Sequence, residues 1–337
     1  MVRPPWSSRM SWPIIVSKTD STHWRILLSF PKRGFSSFRS GRIGSDQTSS
    51  ASSSPVMKFS KSFPAKPVSQ YGGRMNGGAV RDNWEQGDAY ERFIGRWSSL
   101  VAIKFLDWLD LPGGLRWVDV GCGTGALSEA ILDTQDPTSV NGVEPSAGFV
   151  RTATQRLGDR ATLHQASAED LPLLDGSADI IVSGLVLNFI PDLPAALAEM
   201  KRVAPGGIVG AYVWDYGGGM DMLRVFWEAA DEVDPDGSMD EGRRFPLCRP
   251  GALLAAFTNA WLDDPEVVPL EIATPFANFD ALWTPFTGGQ GAGPSYLASL
   301  DPDKQAALKE CMRDRIQTDT DGSISMIARA WAIRAFG

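Results

Sequence analysis

The run from Leu115 to Leu132 constrains the fold more than any other part of this chain. Leu115 to Val120 is short, apolar and partly β-branched. Gly121-Cys122-Gly123-Thr124-Gly125 follows, and Ala126 to Leu132 has helical spacing. A strand, a glycine turn and a helix in that order predict the opening unit of a parallel α/β sheet, with backbone N–H groups exposed at the carboxyl end of the strand. The rhythm continues. Ser139 to Glu144, Ala161 to Gln165, Ala178 to Ser183 and Gly207 to Trp214 read as strands, and Ala147 to Leu157 and Leu193 to Val203 as helices. Strands separated by helices need crossovers, so the fold class is α/β, a doubly wound, Rossmann-like, mainly parallel sheet.

Around this core, residues 112–215, the pattern predicts three additions. Apolar residues from Asn83 to Leu111 recur at helical spacing and predict N-terminal helices. Residues 216–260, with Gly217-Gly218-Gly219 and helical Met222 to Val233, are expected as a helical cap insertion over the sheet edge. In the closing segment, residues 261–337, Glu266 to Thr274 and Ser323 to Ala335 are expected as strands forming an antiparallel edge, although Met326 to Ala335 also suits a helix.

Charge divides the chain. Residues 1–80 hold 12 Lys/Arg against 2 Asp/Glu, and the remaining 20 of 32 and 38 of 40 fall in residues 81–337, giving +10 and −18. With 18 serines and no sustained period, residues 1–80 are expected to be a disordered basic extension, either a plain extension or an organelle transit peptide. A body at −18 repels a phosphate backbone, which excludes nucleic acid as partner or substrate. Cys122, Cys248 and Cys311 are far apart, and His23 and His164 form no ligand cluster with them, so no metal site and no disulfide framework are expected. Absence of a stretch of ~20 apolar residues argues against stable membrane insertion. The expectation is a cytoplasmic monomer or homodimer, or an organellar protein if the extension is a transit peptide.

Gly121, Gly123 and Ala126 fit a dinucleotide-binding turn, with Glu144 placed as a ribose acid. Asp119, two residues before the first glycine, is poorly suited to a pyrophosphate and well suited to a cation. The run Asp119-Val120-Gly121-Cys122-Gly123-Thr124-Gly125 resembles the first motif of class I S-adenosylmethionine-dependent methyltransferases. Val143-Glu144-Pro145-Ser146, Ser167 to Pro172, Asp179 to Asp192 and Val203 to Gly207 resemble later blocks of that family in the same order. The blocks look most like those of the ubiquinone and menaquinone biosynthesis enzymes, a small-molecule type.

The resemblance implies S-adenosyl-L-methionine as cofactor. Asp119 would meet its ammonium group, Glu144 its ribose, and Gly121, Gly123, Gly125, Pro145, Ser146, Ala168, Glu169 and Ser183 would line its site, with Arg96 reaching its carboxylate. Ser167 stands where the family commonly has Asp. Trp214, Tyr216 and Trp283 are the substrate candidates and Asp215 the candidate proton acceptor. Methyl transfer to a small molecule by metal-independent in-line displacement is the expected activity. A nucleotide-dependent oxidoreductase and a non-catalytic cofactor-binding module are the alternatives. Cys122 is expected as a spacer, His164 as a structural histidine, and Phe226 and Trp227 as core.

Overall fold

The computed structural model describes the backbone of residues 16–19 and 23–26, and residues 95–235, 241–288 and 291–337. The chain divides into two compact units, Met1–Gly73 and Arg74–Gly337. In the first, strands β1 (Val16–Thr19) and β2 (His23–Ile26) pair antiparallel, with Val16 opposite Ile26. The sequence predicts no ladder there. The expected disorder of the rest of residues 1–80, and the helical expectation over 83–94, lie outside the described residues.

The second unit is built on seven strands: β3 (Arg116–Val120), β4 (Ser139–Val143), β5 (Thr162–His164), β6 (Ile180–Gly184), β7 (Ile208–Trp214), β8 (Asp263–Ala273) and β9 (Ile327–Phe336). Their order is β5-β4-β3-β6-β7-β9-β8. The first five run parallel, while β9 pairs antiparallel with both β7 and β8. Strand order reverses at β3, which places a crevice outside its carboxyl end. Side chains alternate between two cores. Trp117, Ile180, Val182, Tyr212 and Trp214 pack on one face with helices Ser98–Leu109 and Asp221–Val233. Val118, Val120, Ile181, Val209 and Val213 pack on the other with Leu193–Val203 and Pro250–Asn259.

Segment 216–260 contributes helices to both faces of the sheet: Phe226 joins one facial core and Phe257 the other, and β9 and β8 extend the sheet beyond β7. One expectation is corrected. Between β8 and β9, where no helix was expected, the chain forms Phe279–Trp283, Ala292–Ser299 and Pro302–Asp314. Asp301-Pro302 is an N-cap followed by a first-turn proline. Asp301 Oδ1 accepts from the Lys304 N–H at 2.9 Å, so the start signal was present in the sequence.

Candidate functional site

At the carboxyl ends of β3, β4, β6 and β7 lies a cavity of about 440 Å³. Its floor is the glycine turn. Gly121 adopts φ +71°, and a Cβ built there would come within 2.5 Å of a Val186 methyl, so the position excludes a side chain on both conformation and space. The Gly121 N–H donates to the Val143 carbonyl at 2.7 Å, tying the turn to the end of β4.

Two acids stand beside the turn. Asp119, the fourth residue of β3, is 1% exposed. Its Oδ2 accepts from the Ser128 hydroxyl at 2.7 Å, which ties the strand end to the first turn of helix Ala126–Thr134. Its Oδ1 is buried without a partner. Burial pushes the Asp119 carboxyl up to about 7, against the opposing pull of Ser128. A buried acceptor left open in a cavity wall fits a ligand that brings a cationic donor. Glu144 is 6% exposed and staples two loops: its Oε2 accepts from the Gly123 N–H at 3.1 Å and its Oε1 from the Ser146 N–H at 2.9 Å. Burial raises its carboxyl too, against those two bonds. Each oxygen keeps a second lone pair for a hydroxyl donor.

Of the predicted cofactor residues, Asp119, Gly121, Gly123, Glu144, Pro145, Ala168 and Glu169 line this cavity together with Ser167. The Ser167 hydroxyl donates to Glu169, which lowers the Glu169 carboxyl below its ordinary value. Gly125 and Ser146 act one step back: Gly125 precedes helix Ala126–Thr134 at φ +88°, and Ser146 caps helix Ala147–Leu157 by accepting from the Phe149 N–H at 3.4 Å. Ser183 is fully buried and its neighbour Gly184 takes the wall position. Arg96 is not among the lining residues. Its guanidinium lies over the rings of Trp97 and Phe276, at 4.6 and 5.0 Å, and Ser98 reaches the cavity instead.

Of the predicted substrate residues, Trp214 and Tyr216 line the opposite wall, whereas Trp283 is buried between Phe279 and Phe286. Asp215 is also redirected. Its Oδ2 accepts from Arg329 Nε at 2.8 Å and Nη2 at 2.7 Å, its Oδ1 from the Gly217 N–H at 3.1 Å, and it does not line the cavity. Sequence reasoning missed Leu185, Val186, Phe189, Ile190 and Tyr212, which make that wall apolar. Leu185 sits at φ +64°, a conformation side chains rarely take, and no sequence pattern announces it. Phe189 and Tyr216 meet across Phe245, whose ring centroid lies 5.0 Å from one and 5.7 Å from the other.

Phe226 and Trp227 lie in the core, and Cys122 lies in the cavity wall. Cys122 is buried, and burial raises its thiol further. His164 Nε2 is 3.1 Å from Asn141 Oδ1. Phe226 stacks on Phe286 at 4.2 Å and meets Trp227 edge-on. Among the described residues no three His, Cys, Asp or Glu gather as metal ligands, and no helix is long and apolar enough to cross a membrane.

Residues 118–210 match the family model of a methyltransferase domain. The chain is 33% identical over 132 residues to malonyl-[acyl-carrier protein] O-methyltransferase of Geobacter sulfurreducens, covering 39% of this chain and 49% of that one. It is 34% identical over 110 residues to ubiquinone biosynthesis O-methyltransferase of Aromatoleum aromaticum, covering 31% and 47%. It thus spans about half the length of the curated relatives it matches. Among solved structures, phosphoethanolamine N-methyltransferase 2 of Haemonchus contortus in complex with S-adenosyl-L-methionine is similar at a TM-score of 0.46 and 17% identity, over 74% of this chain and 56% of that one. Residues 118–210, which carry the glycine turn and the two acids beside it, are thus similar to a methyltransferase domain.

Proposed function

We propose that the chain transfers the methyl group of S-adenosylmethionine to a small molecule with an apolar, planar body, by in-line displacement without a metal. The observation that carries this reading is the polarity of this cavity: buried Asp119 and Glu144 at the β3 and β4 end, Leu185, Val186, Phe189, Tyr212, Trp214 and Tyr216 at the β6 and β7 end. Asp119 Oδ1 would hold the ammonium group and Glu144 the ribose hydroxyls. Bound there, the cofactor supplies a methyl on a sulfonium, whose displacement leaves a neutral thioether. The protein therefore has no anion to stabilise at the leaving group, and its work is alignment, which supplies on the order of 7–11 kcal/mol when the reacting atoms are held at near-attack distance.

The acids that a chelating mechanism would need are committed elsewhere. Asp192 caps helix Leu193–Val203 by accepting from the Ala195 N–H at 3.1 Å, Asp215 is paired with Arg329, and Glu169 accepts from Ser167. The two relatives act, by their names, on an acyl-carrier-linked malonyl group and in ubiquinone biosynthesis, and both acceptors are compatible with methylation at oxygen. The apolar wall favours the planar class.

Calorimetric titration with S-adenosylhomocysteine tests the cofactor half of the reading. Binding is expected, and Glu144→Ala is expected to weaken it by roughly 1.5–3 kcal/mol, the usual worth of a hydrogen bond to a charged group. Unchanged affinity in a folded Glu144→Ala protein would overturn the assignment of the cavity. Incubation with methyl-labelled cofactor and a metabolite extract tests the other half. Label should enter the low-mass fraction and should still do so in excess chelator. Label confined to protein or nucleic acid would refute the acceptor class, and loss of transfer on chelation would refute the metal-free route.

A further inference from the structure

Two buried carboxylates share one cavity, and among the described residues no cation answers the inner one. Asp119 is reached from helix Ala126–Thr134 by the Ser128 hydroxyl, from the turn by Cys122, and from the loop after β4 by Glu144; β6 faces it across the ladder with apolar Val182. Of these, Glu144 and the Cys122 thiol are the titratable groups, and neither can carry positive charge. The Arg156 guanidinium bonds to the Thr124 carbonyl at 3.2 Å and pairs with Glu129 at 3.5 Å. An ionised Asp119 in the ligand-free cavity would thus be a buried charge beside a second carboxylate, with one oxygen lacking any donor. Such a group takes up a proton in preference to remaining charged.

We propose that Asp119 binds its ligand in exchange for a proton, so that the cavity selects nucleosides bearing an ammonium group over the same nucleoside without one. The balance is simple. The carboxyl O–H bond breaks, its proton passes to buffer, and the carboxylate formed accepts from the incoming ammonium N–H. Burial that raises the carboxyl to about 7 places the exchange within the physiological range. The sign follows by linkage: below that value, each ligand must displace one proton, and affinity rises about tenfold per pH unit until the carboxyl is already ionised, where it levels. Glu144 titrates as well, but it faces the ribose that both kinds of nucleoside carry, so its contribution cancels in their comparison. This inference rests on the cavity being the S-adenosylmethionine site.

The test is calorimetry of the full chain from pH 5.5 to 8.5 with two probes, S-adenosylhomocysteine and methylthioadenosine, the second lacking the amino-acid end. S-adenosylhomocysteine should gain affinity about tenfold per unit below neutrality and release close to one proton, read from buffers of different ionisation enthalpy. Methylthioadenosine should lack that gain and show only what Glu144 contributes to both. Asp119→Asn should bind S-adenosylhomocysteine more weakly at pH 8 and without the excess slope, while its methylthioadenosine affinity, unchanged, reports an intact cavity. If S-adenosylhomocysteine binds with no pH slope beyond that of methylthioadenosine, or if the excess slope survives in Asp119→Asn, proton exchange at Asp119 is wrong although the cofactor site stands. If neither nucleoside binds at any pH, the site assignment itself fails, and the exchange with it.

Discussion

At the scale of single residues, the position that organises the site is also a cost to the fold. The Asp119 carboxyl is raised above its ordinary 3.8 to about 7, so the native state without ligand holds a proton that the unfolded chain has already lost. Its contribution to stability is fully present below about pH 4 and is lost as pH rises through about 7, for a total on the order of 4 kcal/mol. Asp119→Asn cannot ionise. Its melting temperature relative to the parent should therefore climb between pH 5 and pH 8, as measured by ligand-free thermal scans. A difference constant across that range would show that Asp119 is not held protonated. The sequence marked Asp119 and Glu144 because a carboxylate before a glycine turn and an acid after the next strand are local patterns. It did not mark Leu185 or Tyr212, whose place in the wall depends on how β6 and β7 lie side by side, nor the diversion of Arg96 onto Phe276, a residue 180 positions away.

At the scale of elements, the parallel strands and their crossover helices were legible because each carries its own period and its own turn. Helices Ala147–Leu157 and Leu193–Val203 have the predicted bounds. Long-range pairing was not legible. Nothing local shows that β9 enters between β7 and β8, or that Asp215, at the end of β7, meets Arg329 of β9. That pair and the Arg329 N–H to Gly219 carbonyl bond, at 2.7 Å, fasten the glycine stretch after β7 to β9. Asp215 thus fastens the turn after β7 to Arg329. Replacing it by Asn removes the nearer of two carboxylates from a partly buried guanidinium and leaves Glu271 at 3.6 Å; complete loss of a buried partner costs about 3–5 kcal/mol, and the cost here is less, since Arg329 is about one-third exposed. Asp215→Asn should lower the melting temperature and leave S-adenosylhomocysteine affinity unchanged; methyl transfer abolished with stability intact would support the catalytic role. The glycine turn allows a second test. Gly121→Ala meets both a left-handed φ, which costs ~1–2 kcal/mol for a residue with a side chain, and the Val186 methyls. Cofactor binding should weaken, and Val186→Ala added to it should return part of the loss, because it relieves the contact but not the backbone. No rescue would assign the whole effect to φ.

At the scale of the whole molecule, the chain joins a basic, serine-rich unit to an acidic one that holds the site. The split falls at Gly73, and every described residue lining the cavity lies between Ser98 and Tyr216. The seven-stranded sheet, both facial cores and the acid pair therefore belong to the second unit alone. Low apolar content gives the first unit little surface with which to offset the entropy of ordering it against a partner surface. A chain beginning at Arg74, with a start methionine, should thus keep the melting temperature and the S-adenosylhomocysteine affinity of the full protein. Its net charge becomes far more negative, so any change in affinity that vanishes at high salt would reflect long-range charge, whereas a change that persists would not. A salt-independent loss of affinity or a large fall in melting temperature would mean that residues 1–73 complete the methyltransferase unit, and the division of the molecule into a catalytic body and a dispensable extension would have to be abandoned.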